Sequence, residues 1–274
     1  MAAESDYAKL PDELDRLARE AAEAILEIYA REDFSVRRKA DDSPLTEADM
    51  ASHRLLVDGL ARLQPRLPIL SEENAAQITV EQRRAWPRYW LVDPLDGTKE
   101  FLKRNGEFTV NVALIEFERP VLGIVHVPTN GTSYIGNTEG HAERRNAEGE
   151  THVLRVAGPV EKRPVRIVGS RSHAGGELGG FAAVLGKHEF LAVGSSLKFC
   201  LVAEGAADVY LRIKPTSEWD TAAGQAVLEA AGGEVTNLAG HPLRYNARDT
   251  LINPSFLASG DLSRDYLTAA NAIQ

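Results

Sequence analysis

The chain has almost no cysteine, no surplus of positive charge and no long apolar run, and each absence removes a class of protein. Its one cysteine, Cys200, leaves no internal disulfide, which suits a reducing compartment. Lys and Arg number 31 against 40 Asp and Glu, a formal net charge of −9 that argues against a broad nucleic-acid-binding surface. No stretch approaches the ~20 apolar residues that span a bilayer. Met1–Leu10, with Glu4, Asp6 and Lys9, lacks the apolar centre of a secretory leader. There is no internal repeat and no low-complexity tract. The expectation is a soluble, cytoplasmic chain whose 274 residues, 43% hydrophobic and 26% charged, bury a large core as one domain or two packed lobes.

Apolar spacing predicts an amphipathic helix over Leu10–Ala30, with Leu10, Leu14, Leu17, Ala21, Ala24, Ile25 and Ile28 on one face and Pro11 in its first turn. Thr46 and Asp49 stand at capping-box spacing and open a second helix that reaches about Leu63. A short strand, Ile69-Leu70, leads into Glu72, and a strand over Arg88–Val92 is expected to stop at Pro94. Thr109–Phe117 and Val121–Val127 are β-rich and flank a charged turn containing Pro120, which predicts antiparallel pairing. Tyr134-Ile135 and His152–Val156 extend that sheet. From Pro164 the texture changes. Strands at Val165–Val168, Phe190–Val193, Val209–Ile213 and Glu234–Thr236 alternate with helices at Glu177–Leu185, Ser196–Glu204 and Thr221–Ala231. Residues 1–158 are therefore expected to form an α+β lobe and residues 159–274 an α/β lobe.

Carboxylates mark the chemistry. Glu72 lies in Ser71-Glu72-Glu73, Asp93 and Asp96 in Asp93-Pro94-Leu95-Asp96-Gly97-Thr98, and Asp220 in Trp219-Asp220-Thr221-Ala222-Ala223-Gly224. Brought together, four carboxylates repel one another unless a cation stands between them, and hard divalent cations take such oxygens together with water and phosphate. Pro94 fixes φ and lacks an amide hydrogen, which lets the Leu95 carbonyl turn inward as a neutral ligand. Gly97 lets backbone approach a phosphate closely, and a helix beginning near Asp96–Thr98 would offer free amides to an anion. Taken singly, Asp220 would be a helix N-cap, Glu72 an exposed acid, and Asp93 and Asp96 turn-forming acids. Together, and in this order, they point to a metal-dependent phosphate-ester site.

These segments resemble the inositol monophosphatase superfamily of lithium-sensitive, Mg²⁺-dependent phosphatases. The likeness runs from Lys39-Ala40-Asp41-Asp42-Ser43-Pro44-Leu45-Thr46 through Leu251-Ile252-Asn253-Pro254. It implies the layered α/β sandwich shared by inositol monophosphatase and fructose bisphosphatase. It also implies two or three Mg²⁺ per site, held by Glu72, Asp93, the Leu95 carbonyl, Asp96 and Asp220. Asp49 would hold metal-bound water, Thr98 would orient the nucleophile, and Glu72 and Asp49 would accept its proton. Glu72, Leu95, Asp96 and Asp220, with the Gly97 and Thr98 amides, would also contact the substrate.

Gly194-Ser195-Ser196-Leu197-Lys198-Phe199-Cys200 bears on substrate. It reads as a helix start capped by Ser195 or Ser196, with Lys198 in the first turn, where a cation is unhelpful to the helix dipole. Lys198 is either a solvated surface lysine or a partner for a second phosphate. With Ser170-Arg171-Ser172-His173, the segment resembles the CysQ group of bacterial 3′(2′),5′-bisphosphate nucleotidases. That resemblance implies removal of the 3′-phosphate from adenosine 3′,5′-bisphosphate, with Lys198, Ser195, Ser196 and His173 on the nucleotide. Two rivals remain: an inositol or sugar monophosphatase, and a non-catalytic regulator that binds nucleotide or metal. A monomer or homodimer is expected, in the cytoplasm or loosely attached to the inner face of the cell membrane. Cys200 reads as a packed core thiol, and Trp90 and Trp219 as packing residues.

Overall fold

In a computed structural model that describes residues 9–32, 36–38, 44–160, 163–170 and 176–273, layers of helix and sheet alternate. Helix α1 (Leu10–Tyr29) carries Pro11 in its first turn and buries Leu10, Leu14, Leu17, Ala18, Ala21, Ile25 and Ile28 along one stripe. Strands β1 (Val36–Arg38) and β2 (Pro44–Thr46) pair antiparallel as a separate ribbon. Thr46 then caps α2 (Glu47–Leu60) in the expected capping box with Asp49.

Seven strands follow one another across a sheet in chain order: β3 (Ile69–Ser71), β4 (Arg88–Asp96), β5 (Thr109–Glu116), β6 (Arg119–Val127), β7 (Thr132–Asn137), β8 (Ala142–Arg145) and β9 (Thr151–Val153). Only β3 and β4 are parallel. Two short helices flank β4: α3 (Val80–Arg84) before it and α4 (Thr98–Leu102) after it. The remaining strands, β10 (Val165–Gly169), β11 (His188–Ala192), β12 (Val209–Arg212), β13 (Glu234–Asn237) and β14 (Phe256–Ser259), form a second sheet in the order β11-β10-β12-β14-β13. Its helices are α5 (Glu177–Leu185), α6 (Leu197–Ala203), α7 (Ala222–Ala230) and α8 (Tyr266–Asn271).

Helices α1 and α2 cover one face of the seven-stranded sheet and α7 covers the other, while α6 lies between α7 and the second sheet. Helices α5 and α8 pack together on the far face. Both faces of β4 and β5 are therefore dry. Tyr89, Leu91, Ala113 and Ile115 join the core between the sheets, whereas Trp90, Val92, Val112 and Leu114 join the core under α1 and α2. That is why these strands read as unbroken apolar runs, although antiparallel strands commonly alternate. Helix α7 lies unusually tight on its sheet. A Cβ on Gly123 would come within 2.6 Å of the Ala223 carbonyl oxygen, and one on Gly136 within 2.5 Å of Val227 Cα. Ala223 thus packs on β6 and Gly224 on Phe199 of α6, while residues Glu218–Asp220, just before α7, lie against β4 and β5.

Several expectations change. Strand β4 does not stop at Pro94: it runs to Asp96 through a bulge, with Asp93 opposite Asn111 and Asp96 opposite Thr109. A bulge frees the extra residue from the ladder, so a proline without an amide hydrogen is tolerated there. Pro120 is likewise inside β6, at a bulge opposite Ile115, and the hairpin turn is Phe117-Glu118, both at positive φ (46° and 67°). The helix after Asp220 begins at Ala222, preceded by a 3-10 turn over Glu218–Asp220. Strands β8 and β14 and helices α3 and α8 carried too little periodicity to be read in the sequence. Cys200 and Trp90 are buried in the core as expected. Among the described residues no helix is long and apolar enough to cross a membrane.

Candidate active site

The site grows from the bulged end of β4. Parallel pairing sets Ser71 beside Val92, and the Glu72 amide donates to the Val92 carbonyl (3.1 Å), so Glu72 emerges next to Asp93. Asp93 is buried, and its Oδ1 accepts the Leu95 amide at 3.0 Å, which closes a tight turn over Pro94. Ser52 of α2 donates to the Pro94 carbonyl at 2.7 Å and pins that turn from outside. Gly97 then takes φ +92°, and a Cβ there would lie 3.1 Å from the Glu107 carbonyl oxygen. Its glycine is demanded by backbone geometry and by the close backbone of the segment leading into β5 together.

Asp49 divides its two oxygens. Oδ2 accepts from the Thr46 amide (2.8 Å) and hydroxyl (2.5 Å) at the cap of α2, while Oδ1 lies 3.3 Å from Thr98 Oγ1. The Thr98 hydroxyl also lies 3.4 Å from the Leu95 carbonyl oxygen. A hydroxyl, a carboxylate and a carbonyl therefore converge.

Across the site, Asp220 ends the 3-10 turn, and its Oδ2 accepts the Ser217 amide at 2.9 Å as one half of a capping box on that turn; it is not the N-cap of α7, which is Thr221. Ser196 joins the two sides. Its amide donates to Asp96 Oδ2 at 2.5 Å, and its hydroxyl lies 2.6 Å from the same oxygen and 2.7 Å from the Asp220 carbonyl oxygen. Asn111 donates to that hydroxyl at 2.8 Å. Ser196 does not cap α6 through its side chain, because that side chain is engaged on Asp96.

Carboxylate oxygens of Asp93, Asp96 and Asp220 all lie within 4.8 Å of one another. Burial pushes the Asp93 carboxyl well above the usual range, and the charges of Glu72, Asp96, Asp220 and Asp49 push it further. Asp220 is raised by burial and then by Asp96 and Glu72. Among the described residues no lysine or arginine forms an ion pair with Asp93, Asp96 or Asp220. Uncompensated negative charge on an all-oxygen donor set fits a hard divalent cation such as Mg²⁺.

Lys198 is no solvated surface lysine. It is 6% exposed, and its ammonium donates to the Ser195 carbonyl (2.5 Å) and faces the Val193 carbonyl (3.5 Å) and the Tyr210 ring (5.5 Å to the centroid). Burial lowers its pKa to about 8 even though Asp96 pulls it up. Ser195, at φ +47°, accepts the Leu197 amide at 3.4 Å. A cavity of about 340 Å³ opens beside Tyr210 at the carboxyl ends of β10 and β12, lined by Ser170, Tyr210, Arg212 and Lys214 among others. His173, with Arg171 and Ser172, and Lys39–Ser43 lie outside the described residues.

Comparison with known proteins meets this geometry. The model of the inositol monophosphatase family matches residues 9–271. The chain belongs to the inositol monophosphatase family. It is 48% identical over 249 residues to 3′(2′),5′-bisphosphate nucleotidase CysQ of Shigella flexneri, covering 90% of this chain and 98% of that one. The CysQ of Haemophilus influenzae is 37% identical over 245 residues, with 88% and 89% covered. A crystal structure of CysQ from Bacteroides thetaiotaomicron superposes with a TM-score of 0.78 at 39% identity, over 93% of this chain and 98% of that one. The Thermotoga maritima IMPase, at 24% identity and a TM-score of 0.75 over 96% of each chain, shares the fold.

Within this family member, sequence reasoning missed Asn111, Ser52 and the pair His53–Ser71, whose Nδ1 and Oγ lie 2.9 Å apart just before Glu72. Asn111 had a visible signal, a polar side chain at the centre of the apolar run Val110-Asn111-Val112. Ser52 and His53 follow Asp49 by three and four residues on one helix face, a cue legible only once Asp49 is placed in the site.

Proposed function

We propose that the protein is a Mg²⁺-dependent 3′(2′),5′-bisphosphate nucleotidase, which hydrolyses adenosine 3′,5′-bisphosphate to AMP and phosphate. Glu72, Asp93, the Leu95 carbonyl, Asp96 and Asp220 would hold two or three Mg²⁺, which when bound lower the pKa of water and neutralise charge on the phosphate and leaving oxygen. Thr98 orients the attacking water through its hydroxyl, and Asp49, 3.3 Å away, takes the proton that the hydroxyl relays. Amides at Gly97 and Thr98 face the phosphate oxygens, so positioning and electrostatics carry the rate.

The observation that carries the substrate reading is the buried Lys198 ammonium. It lies in the first turn of α6, two residues after the Ser196 that braces Asp96, and it faces Tyr210, a wall of a cavity whose volume suits a small ligand. A second phosphate on the nucleotide gives that cation a purpose which a monophosphate would not. Ser195 and His173 are further candidates for nucleotide contact. Ser196 acts mainly by holding Asp96. The names of the CysQ relatives support the same activity. Family likeness adds inhibition by Li⁺ and a cytoplasmic location, and the change to alternating strand and helix beyond Pro164 supports a two-lobed division near residue 158.

The test is Mg²⁺-dependent phosphate release from adenosine 3′,5′-bisphosphate and, in parallel, from inositol 1-phosphate, for the native protein and Lys198→Ala. We expect strong preference for the bisphosphate, and a loss in Lys198→Ala of roughly 10²-fold on that substrate against little on the monophosphate. Equal losses on both substrates would remove the nucleotide assignment and leave the metal chemistry standing.

A further inference from the structure

Glu218 is fully buried two residues before Asp220, yet the reaction gives it nothing to do. Its Oε2 accepts the Asn246 amide at 2.7 Å and its Oε1 accepts from Arg248 at 3.1 Å. Asn246 stands at φ +57° and grips Arg83 with both ends of its side chain. Its Oδ1 accepts from Arg83 Nη1 at 2.5 Å, and its Nδ2 donates to the Arg83 carbonyl at 2.5 Å. Arg83, 2% exposed, also donates to the carbonyls of Arg248 (3.0 Å) and Asp249. It belongs to α3, the segment that feeds directly into β4. A continuous hydrogen-bonded path therefore joins the turn carrying Asp220 to α3, the helix whose chain continues into the strand carrying Asp93 and Asp96. Nothing else about this corner needs charge: apolar side chains would fill it without the cost of desolvating a carboxylate and two guanidinium groups. What directional bonds add is a fixed geometry, and a cation bound by oxygens from both segments is sensitive to that geometry.

We propose that Arg83, Asn246, Arg248 and Glu218 form a positioning relay that sets where Asp220 stands relative to Asp93 and Asp96, and so tunes how tightly the site holds a divalent cation. This rests on the assignment of Asp220 as a metal ligand.

Two variants cut the relay at different links. Glu218→Gln keeps the shape and weakens the bond to Arg248. Asn246→Gly keeps the left-handed backbone and the amide donated to Glu218 but deletes the grip on Arg83. Direct Mn²⁺ titration by electron paramagnetic resonance reads the site without turnover. Each variant should raise the Mn²⁺ dissociation constant by about three- to tenfold. The half-saturating Mg²⁺ concentration should rise in step, while kcat at saturating Mg²⁺ changes far less. Asp208→Asn, in a buried ion-pair cluster at the other end of the second sheet, serves as the control: it should lower Tm with Mn²⁺ affinity intact. If Glu218→Gln and Asn246→Gly also lower Tm and leave Mn²⁺ affinity unmoved, the relay is only scaffold and the proposal is overturned. If Asp220→Asn itself binds Mn²⁺ as the native protein does, the ligand assignment falls and takes the relay with it. Weakened binding in Asp220→Asn alone overturns the relay and spares the assignment.

Discussion

Asp93 and Asp96 stand on a strand hydrogen-bonded along its length to β3 and β5, near neighbours in sequence, whereas Asp220 stands on a single 3-10 turn gripped by side chains from residues 246–253 and by Arg83 beyond them. On the first side, backbone pairing fixes the two acids proposed as ligands. On the second, Asn253 donates to the Ser217 carbonyl and to Thr221 Oγ1 (2.9 Å each), and Glu218 is clamped from below. Ser196 bridges the two by touching Asp96 and the Asp220 carbonyl at once. The contrast separates two kinds of residue: those whose loss removes chemistry from a rigid frame, and those whose loss lets the frame shift.

The sharpest way to break the first side is Asp93→Asn. It deletes a proposed ligand without disturbing the ladder, so Mg²⁺-dependent kcat/KM should fall by roughly 10²- to 10³-fold. Because Asp93 is raised by burial and by its acidic neighbours, the metal-free variant should also melt at a higher temperature than the native protein. Phosphate release and metal-free thermal scans check both; full turnover in Asp93→Asn would end the metal-ligand assignment. Thr98→Val comes next. It should lower kcat by about 10²-fold while Mn²⁺ affinity stays unchanged, if the Thr98 hydroxyl, 3.3 Å from Asp49, orients water as proposed rather than holding a cation. A parallel loss of metal affinity would mean that Thr98 builds the cation site instead.

The same contrast explains what could be read from the chain. The ladder side was legible because its determinants are local: Thr46 and Asp49 at capping-box spacing, Pro94 and Gly97 at fixed offsets from the two acids. Even there the bulge escaped, since Pro94 looks like a terminator until pairing with Asn111 and Thr109 shows that the strand continues. Asp220 was legible by resemblance, not by its surroundings. Glu218, Asn246 and Arg83 are 28 and 163 residues apart along their two bonds. No periodicity or spacing rule joins them, because their contact depends on how the loop after β13 folds back over α3. Lys198 lay between the two cases: its misfit with the helix dipole was visible, its burial against Tyr210 was not.

Metal removal probes both sides together at smaller amplitude. Burial and neighbouring acids raise Asp220 from the usual 3.8 to about 8, and Asp93 moves in the same direction. The folded, metal-free protein thus binds protons more tightly than the unfolded chain. That contribution is fully present below the unfolded pKa and is lost as pH rises toward 8. The gain in Tm on adding Mg²⁺ should therefore grow between pH 5 and pH 8, and the growth should shrink in Asp220→Asn. A gain that stays constant with pH would show that the acids do not repel one another in solution.

The smallest expected effect on activity comes from a cluster that belongs to neither side. Asp208 is fully buried at the start of β12, where burial alone would raise its pKa; bonds from Arg163 (2.6 and 2.7 Å) and Arg166 (2.7 and 2.8 Å) outweigh burial and hold it near 2. Asp208→Asn leaves two partly exposed guanidinium groups without their shared partner, a loss of about 2 to 4 kcal/mol. The sign with pH is opposite to that of the metal site. Here the folded pKa lies below the unfolded 3.8, so the stabilisation is present above pH 4 and disappears as pH falls through about 2. Chemical denaturation of the native protein and of Asp208→Asn should show a gap that is constant from pH 5 to pH 8 and closes in acid, with kcat/KM at saturating Mg²⁺ the same in both. Should Asp208→Asn slow turnover, the frame around Asp96 and Asp220 must reach through β12 to the far end of the second sheet, and rigidity on the ladder side would no longer be a local property of β4.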